Sequence, residues 1–78
     1  MRIRFYGRLA EAIEPQVDVD TPQPCPVGDL RRRLARAYPA AAETLGRSRA
    51  CIASVLVADD HQVSEPDEVE FLPPVSGG

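Results

Sequence analysis

A chain of 78 residues with a formal net charge of −3 has room for one domain. A domain of that size buries a modest share of its surface and cannot wall a deep substrate cleft with its own residues. Any chemistry it joins is therefore expected to be completed in a partner's pocket. All nine arginines and six acids lie in residues 1–49, whereas residues 50–78 hold Asp59, Asp60, Glu65, Asp67, Glu68 and Glu70 and no base. The acidic part argues against nucleic acid as the main partner and suits either docking on a basic protein surface or plain solvation. The opening Met1-Arg-Ile-Arg-Phe-Tyr threads charges through its apolar residues, and the longest apolar run, Ile52 to Ala58, is broken by Ser54. Neither a signal-peptide core nor a bilayer span is expected, and the expected location is the cytoplasm. Cys25 and Cys51 form no disulfide framework, and with the single His61 they match no metal-site spacing. Free thiols, no metal and no bound cofactor are expected.

From Met1 to Gly7, apolar Ile3 and Phe5 alternate with Arg2 and Arg4, the pattern of a half-buried strand. Leu9, Ala10, Ala12 and Ile13 predict a short helical turn before Pro15. Gln16 to Asp20 alternates again around Val17 and Val19 and predicts a second strand. Thr21-Pro-Gln-Pro-Cys-Pro is too rich in proline to be regular, and Pro26 suits the first position of a helix. Val27, Leu30, Leu34, Ala37 and Tyr38 then recur at helical spacing, opposite Arg31, Arg32 and Arg36, which read as a solvated face. Pro39 ends that helix. Ala40 to Leu45 predicts another helical turn, closed by Gly46.

Cys51 to Ala58 is rich in Val and Ile and reads as one strand buried on both faces. Asp59-Asp60-His61-Gln62 predicts a turn, Val63 a short return strand, and Glu65-Pro66-Asp67 a second turn. Glu68 to Leu72 alternates, with Val69 and Phe71 inward, and predicts the last strand. One main helix with these strands is solved most simply by packing it on one face of a mixed sheet of four to five strands. That α+β plan is the ubiquitin-like β-grasp, expected over residues 1–72, with residues 73–78 as a flexible tail.

The tail carries the chemistry. After the last strand the chain runs Phe71-Leu-Pro-Pro-Val-Ser-Gly-Gly78. Two prolines favour an extended arm, and six residues would reach on the order of 18 Å at about 3.1 Å per residue. Gly77 and Gly78 lack Cβ atoms, so the end can thread a narrow tunnel and leaves its carboxyl open to attack from either side. A free carboxylate is a poor electrophile. Coupled to AMP it becomes a mixed anhydride, and a sulfur donor can displace AMP to leave a thiocarboxylate. The chain holds no lysine whose side chain could intercept that anhydride.

FLPPVSGG resembles the terminal signature of the small subunit of molybdopterin synthase. The likeness extends more loosely to IRFYGRLAE, CPVGDLRRRLARAYP and DEVEFLPPVSGG. The resemblance implies a sulfur carrier of molybdenum cofactor biosynthesis that is not an enzyme on its own. Gly78 would accept AMP and then sulfur, and ATP would be used by a separate adenylating enzyme. Gly77 would form the thin neck, and Pro73, Pro74, Val75 and Ser76 the arm in partner grooves. Leu72, opposite Val69 and Phe71, would be a partner contact or merely exposed. The implied partners are the large synthase subunit, the adenylating enzyme and a sulfur donor, with no nucleic acid and no membrane. Cys25 stands where a capping Ser or Thr is usual, and Asp59-Asp60-His61 replaces a turn with Asn or Gly. A sister carrier feeding thiamine, cysteine or tRNA thiolation stays open, as do a modifier joined to target lysines and a plain binding module.

Overall fold

The computed structural model describes residues 1–74. Strand β1 (Arg2–Phe5) buries Ile3 and Phe5 and exposes Arg2 and Arg4, as its alternation predicts. Helix α1 (Arg8–Ala12) follows and turns Leu9 into the core. Strand β2 (Gln16–Asp18) returns antiparallel along β1. Strands β3 (Cys25–Pro26) and, later, β6 (Gln62–Val63) form a separate two-residue antiparallel pair. Between them come α2 (Val27–Ala37), a 3-10 turn (Pro39–Ala41), α3 (Ala42–Arg47), β4 (Arg49–Ile52) and β5 (Val55–Val57). Strand β7 (Val69–Leu72) comes last and lies in the middle of the main sheet, whose order is β2-β1-β7-β4-β5. It runs parallel to β1 and antiparallel to β4, so the five-stranded sheet is mixed.

Helix α2 covers one face of this sheet. Val27, Leu30 and Leu34 meet Ile3, Phe5, Ala50, Val69 and Phe71 in a continuous core. Phe5 and Phe71 are paired in register and stack, their ring centroids 6.0 Å apart. The architecture is the expected β-grasp, one main helix on one face of a mixed sheet.

Four local expectations are corrected. Cys51 to Ala58 is not one strand but the hairpin β4–β5, with Ile52 paired to Val55 across a two-residue turn. Ala53 and Ser54 both take positive φ, 50° and 66°, the geometry that matches the twist of paired strands. Asn-Gly is the usual signal for that turn, and neither residue is present there. The segment is also not buried on both faces, since Val55 and Leu56 are 62% and 55% exposed. Pro26 is the N-cap of α2 and not its first helical residue, because its ψ of 149° is extended and it pairs with Gln62 of β6. Gly46 does not close a helix but lies inside α3, which ends at Arg47 with Ser48 as its C-cap.

The fourth correction concerns Arg31. It does not share the solvated face of Arg32 and Arg36; its side chain is 14% exposed. Its Nη1 donates to Ser48 O at 2.9 Å, to Ser48 Oγ at 2.7 Å and to Leu45 O. Its Nη2 pairs with Asp59 Oδ1 at 2.9 Å, and the guanidinium lies 5.2 Å from the centroid of Phe71. One side chain thus ties α2 to the end of α3, to the turn after β5 and to the central strand. The same turn caps α2 with main-chain oxygens: Val27 N donates to His61 O and Gly28 N to Asp59 O. Those bonds satisfy two of the four amide groups that a helix start leaves unpaired. They explain why no Ser or Thr is needed near Cys25.

Removing Arg31 leaves carbonyls at the end of α3 without their charged donor. Arg31→Ala is expected to cost about 2–3 kcal/mol in urea unfolding, and Arg32→Ala less than about 0.5 kcal/mol. Equal midpoints for the two variants would contradict this division of roles.

Candidate functional site

The site is built around the end of β7. Being central, that strand is held by ladders on both sides as far as Phe71, and on the β4 side one residue further, where Leu72 pairs with Arg49. Strand pairing therefore fixes where the chain leaves the sheet. Leu72, Pro73 and Pro74 are half-buried at this exit. Val75, Ser76, Gly77 and Gly78 lie outside the described residues.

Two elements meet at the exit. Phe5 is level with Phe71, so Tyr6 and Gly7 follow alongside Leu72 and Pro73. Gly7 takes φ 58° and ψ −134°, which L side chains rarely adopt. Leu9 N donates to Tyr6 O at 3.2 Å, closing a four-residue turn with Gly7 in its second position. A Cβ on Gly7 would come within 3.0 Å of Pro73 Cγ.

The sheet face away from α2 is uncovered beside this exit. Strand alternation and register put Tyr6, Leu72, Cys51 and Leu56 on it, opposite the core-facing Phe5, Phe71, Ala50 and Val57. Tyr6 is 39% and Leu56 55% exposed, and Cys51, paired with Leu56, is buried at 6% although it faces away from the core. Leu72 thus lies on the face opposite Val69 and Phe71. Tyr6 and Leu56 were not anticipated there. Reading β5 as a separate strand would have exposed Leu56, because it alternates with Val57.

Beside the apolar group, the same face is laced with charge. Arg4 Nε meets Glu68 Oε1 at 2.5 Å, and Arg2 approaches the same carboxylate at 4.0 Å. The Tyr6 hydroxyl donates to Glu70 Oε2 at 2.5 Å. That bond to a carboxylate raises the Tyr6 pKa above its ordinary 10.0, with Arg4 pulling the other way. The remaining arginines of α2 lie on the far side of the molecule. There Asp29, Arg32, Arg33 and Arg36 line a shallow depression of about 200 Å³. Among the described residues no group of His, Cys, Asp and Glu is placed to hold a metal ion. Cys25 and Cys51 are free thiols, and no helix described is long and apolar enough to cross a membrane.

Solved structures place this architecture in the ubiquitin-like β-grasp class. SAMP1 from Haloferax volcanii is 27% identical, with a TM-score of 0.81 over 99% of this chain and 97% of that one. A putative molybdopterin converting factor, subunit 1, from Pyrococcus furiosus is 17% identical, with a TM-score of 0.81 over 95% of each chain. A complex of subunits 1 and 2 of molybdopterin-converting factor from Helicobacter pylori gives 22% identity and a TM-score of 0.68, over 99% of this chain and 96% of that one. No curated protein sequence matches the chain. The family model of the ThiS family matches residues 3–78. The chain belongs to the ThiS family, and it is a ThiS-like sulfur carrier.

Tyr6 gives a titration test of the exit face. Its phenol is protonated in the bond to Glu70, so the contribution to stability is complete below pH 10 and lost as pH rises through the raised value. Ultraviolet titration in a Tyr38→Phe background is expected to place Tyr6 above free tyrosine. Glu70→Gln is expected to bring it down. No response to Glu70→Gln would show that the bond does not persist in solution.

Proposed function

We propose that this carrier serves molybdenum cofactor biosynthesis as the small subunit of a molybdopterin synthase, with Gly78 as the acceptor of sulfur. The observation that carries the reading is the family match running through Gly78, joined to a central strand that ends at Leu72 and is followed by Pro73-Pro74. The Pro-Pro-Val-Ser-Gly-Gly ending favours this branch over sister carriers. The fold shared with molybdopterin converting factor chains, one of them in complex with its second subunit, is consistent with it.

The chemistry needs no catalytic side chain from this protein. An adenylating enzyme uses ATP to join the Gly78 carboxyl to AMP and releases pyrophosphate. A persulfide donor attacks the carbonyl carbon, AMP leaves, and cleavage of the sulfur–sulfur bond by a reductant or second thiol leaves the thiocarboxylate. In the large subunit that sulfur attacks the pterin precursor. Hydrolysis of the resulting acyl linkage returns a carboxylate for another round. Gly77 and Gly78 keep the end thin, and Pro73 to Ser76 lie in the partner's groove. Tyr6, Leu56 and Leu72 dock the sheet face against the large subunit, since an apolar group beside the exit would be covered when the tail is inserted.

A second reading is supported by the likeness to SAMP1 from Haloferax volcanii, a small archaeal modifier protein. In it Gly78 forms an amide with a lysine of a target protein. The same activated carboxyl serves both readings, and the acceptor decides between them.

Two variants test the proposal in a reconstituted synthase. Deleting Gly77 and Gly78 is expected to abolish molybdopterin formation while leaving the urea midpoint unchanged; a fully active truncated chain would falsify the proposal. Leu56→Asp is expected to keep the fold and weaken binding to the large subunit about tenfold. Unchanged affinity would remove the sheet face from the interface.

A further inference from the structure

We propose that Gly7 is a positioning residue for the sulfur-bearing end, its missing side chain forming the seat in which the Pro73 ring sets the direction of the tail. The inference rests on the carrier reading above and adds a residue to it that lies far from Gly78 in sequence. Its basis is the parallel pairing of β1 and β7. Phe5 and Phe71 are partners in that ladder, buried at 2% and 0%. Gly7 and Pro73 each stand two residues further on, so the same register brings them side by side. Proline has no amide hydrogen to continue a ladder, and contact takes over where hydrogen bonding stops.

Neither side of this contact yields easily. Gly7 is held by its turn, and its carbonyl accepts the first helical bond of α1 from Glu11 N at 3.2 Å. Helix α1 is in turn anchored by Leu9, which is fully buried. Pro73 is a ring closed onto its own backbone nitrogen, which fixes its φ, and it is attached to the last paired residue of the central strand. A Cβ at position 7 would lie 3.0 Å from Cγ and 3.8 Å from Cδ of that ring, the nearer distance inside van der Waals contact. With the turn held on one side and β7 on the other, the few tenths of an ångström that the contact requires fall on the ring at the start of the tail. Gly78 lies five residues beyond Pro73, so the root of the tail is where the domain can act on the course of that stretch.

A side chain at position 7 also strains the turn, because φ there is 58°. The test therefore separates seat from strain by a second substitution. The rate of Gly78 adenylation by the adenylating enzyme is compared for the wild-type chain, Gly7→Ala, Pro73→Gly and the double variant. Gly7→Ala is expected to lower kcat/KM about tenfold when Pro73 is present, within the range caused by misplacing a reacting group. In the Pro73→Gly background the same substitution is expected to cost less than about twofold, because the ring it strikes is gone. Equal losses in both backgrounds would assign the effect to turn strain and overturn the proposal.

Nuclear Overhauser contacts between the Gly7 α-protons and the Pro73 γ-protons of the wild-type chain need no variant. They are expected, and their absence overturns the proposal whatever the kinetics. A wild-type chain that is not adenylated, by an enzyme active on another carrier, counts against the carrier reading. If the contacts are nonetheless present, the failure lies with that reading and not with the seat, and the role in positioning sulfur falls with it.

Discussion

The structure depends on one strand being both central and last. Strand β7 pairs with β1 and β4, carries Phe71 against Phe5 and under Arg31, and then releases the chain. In an edge position the same segment would be held by one ladder and would fray with it. In the centre, the exit cannot move without disturbing two ladders and the core. A ThiS-like sulfur carrier has a use for that rigidity. Under the proposed function a partner's groups do the chemistry, and the carrier contributes a defined point from which its end sets out.

The elements around β7 extend this arrangement to the rest of the chain. Arg31 draws the end of α3 and the Asp59 turn onto the central strand, and that turn supplies the carbonyls that cap α2. The β3–β6 pair holds the same turn in place from the other side. On the uncovered face, charge pairs occupy the β1 side, whereas Leu56 and Cys51 occupy the β4–β5 side and Leu72 of β7 lies opposite the exposed Arg49. Side chains on that face leave the core untouched, and a partner can read them without unfolding anything. Helix and face thus have separate tasks, one building the domain and the other presenting its exit.

Much of the fold was legible because one face of most elements is buried and the other is wet. Ile3 and Phe5 against Arg2 and Arg4, Val69 and Phe71 against Glu70 and Leu72, and the spacing of Val27, Leu30 and Leu34 all report burial through period alone. The β4–β5 hairpin was not legible, because Ala53-Ser54 makes its turn without the usual Asn or Gly. Nothing in the spacing of Arg31, Arg32 and Arg36 tells which arginine meets a carbonyl cluster; that depends on where α3 ends. Pro26 misled because a proline can stand at an N-cap as well as one residue later. Within the site, Leu72 could be placed on the uncovered face by alternation. Tyr6 and Leu56 could not, since one follows the end of β1 and the other required the hairpin. Gly7 gave no sign of its nearness to Pro73, which arises only from the parallel register of β1 and β7.

The most direct test of the carrier's chemistry is the mass of its C-terminal fragment after incubation with ATP, the adenylating enzyme and a sulfur donor. Arg49 is the last arginine and the chain has no lysine, so trypsin releases residues 50–78 in one piece. Fragmentation within that piece is essential, because an oxidised Cys51 adds nearly the same mass as exchanging oxygen for sulfur. The expected result is a sulfur-for-oxygen exchange confined to Gly78. A Gly78 carboxylate that stays unchanged, beside another carrier that the same enzyme and donor do convert, would contradict it.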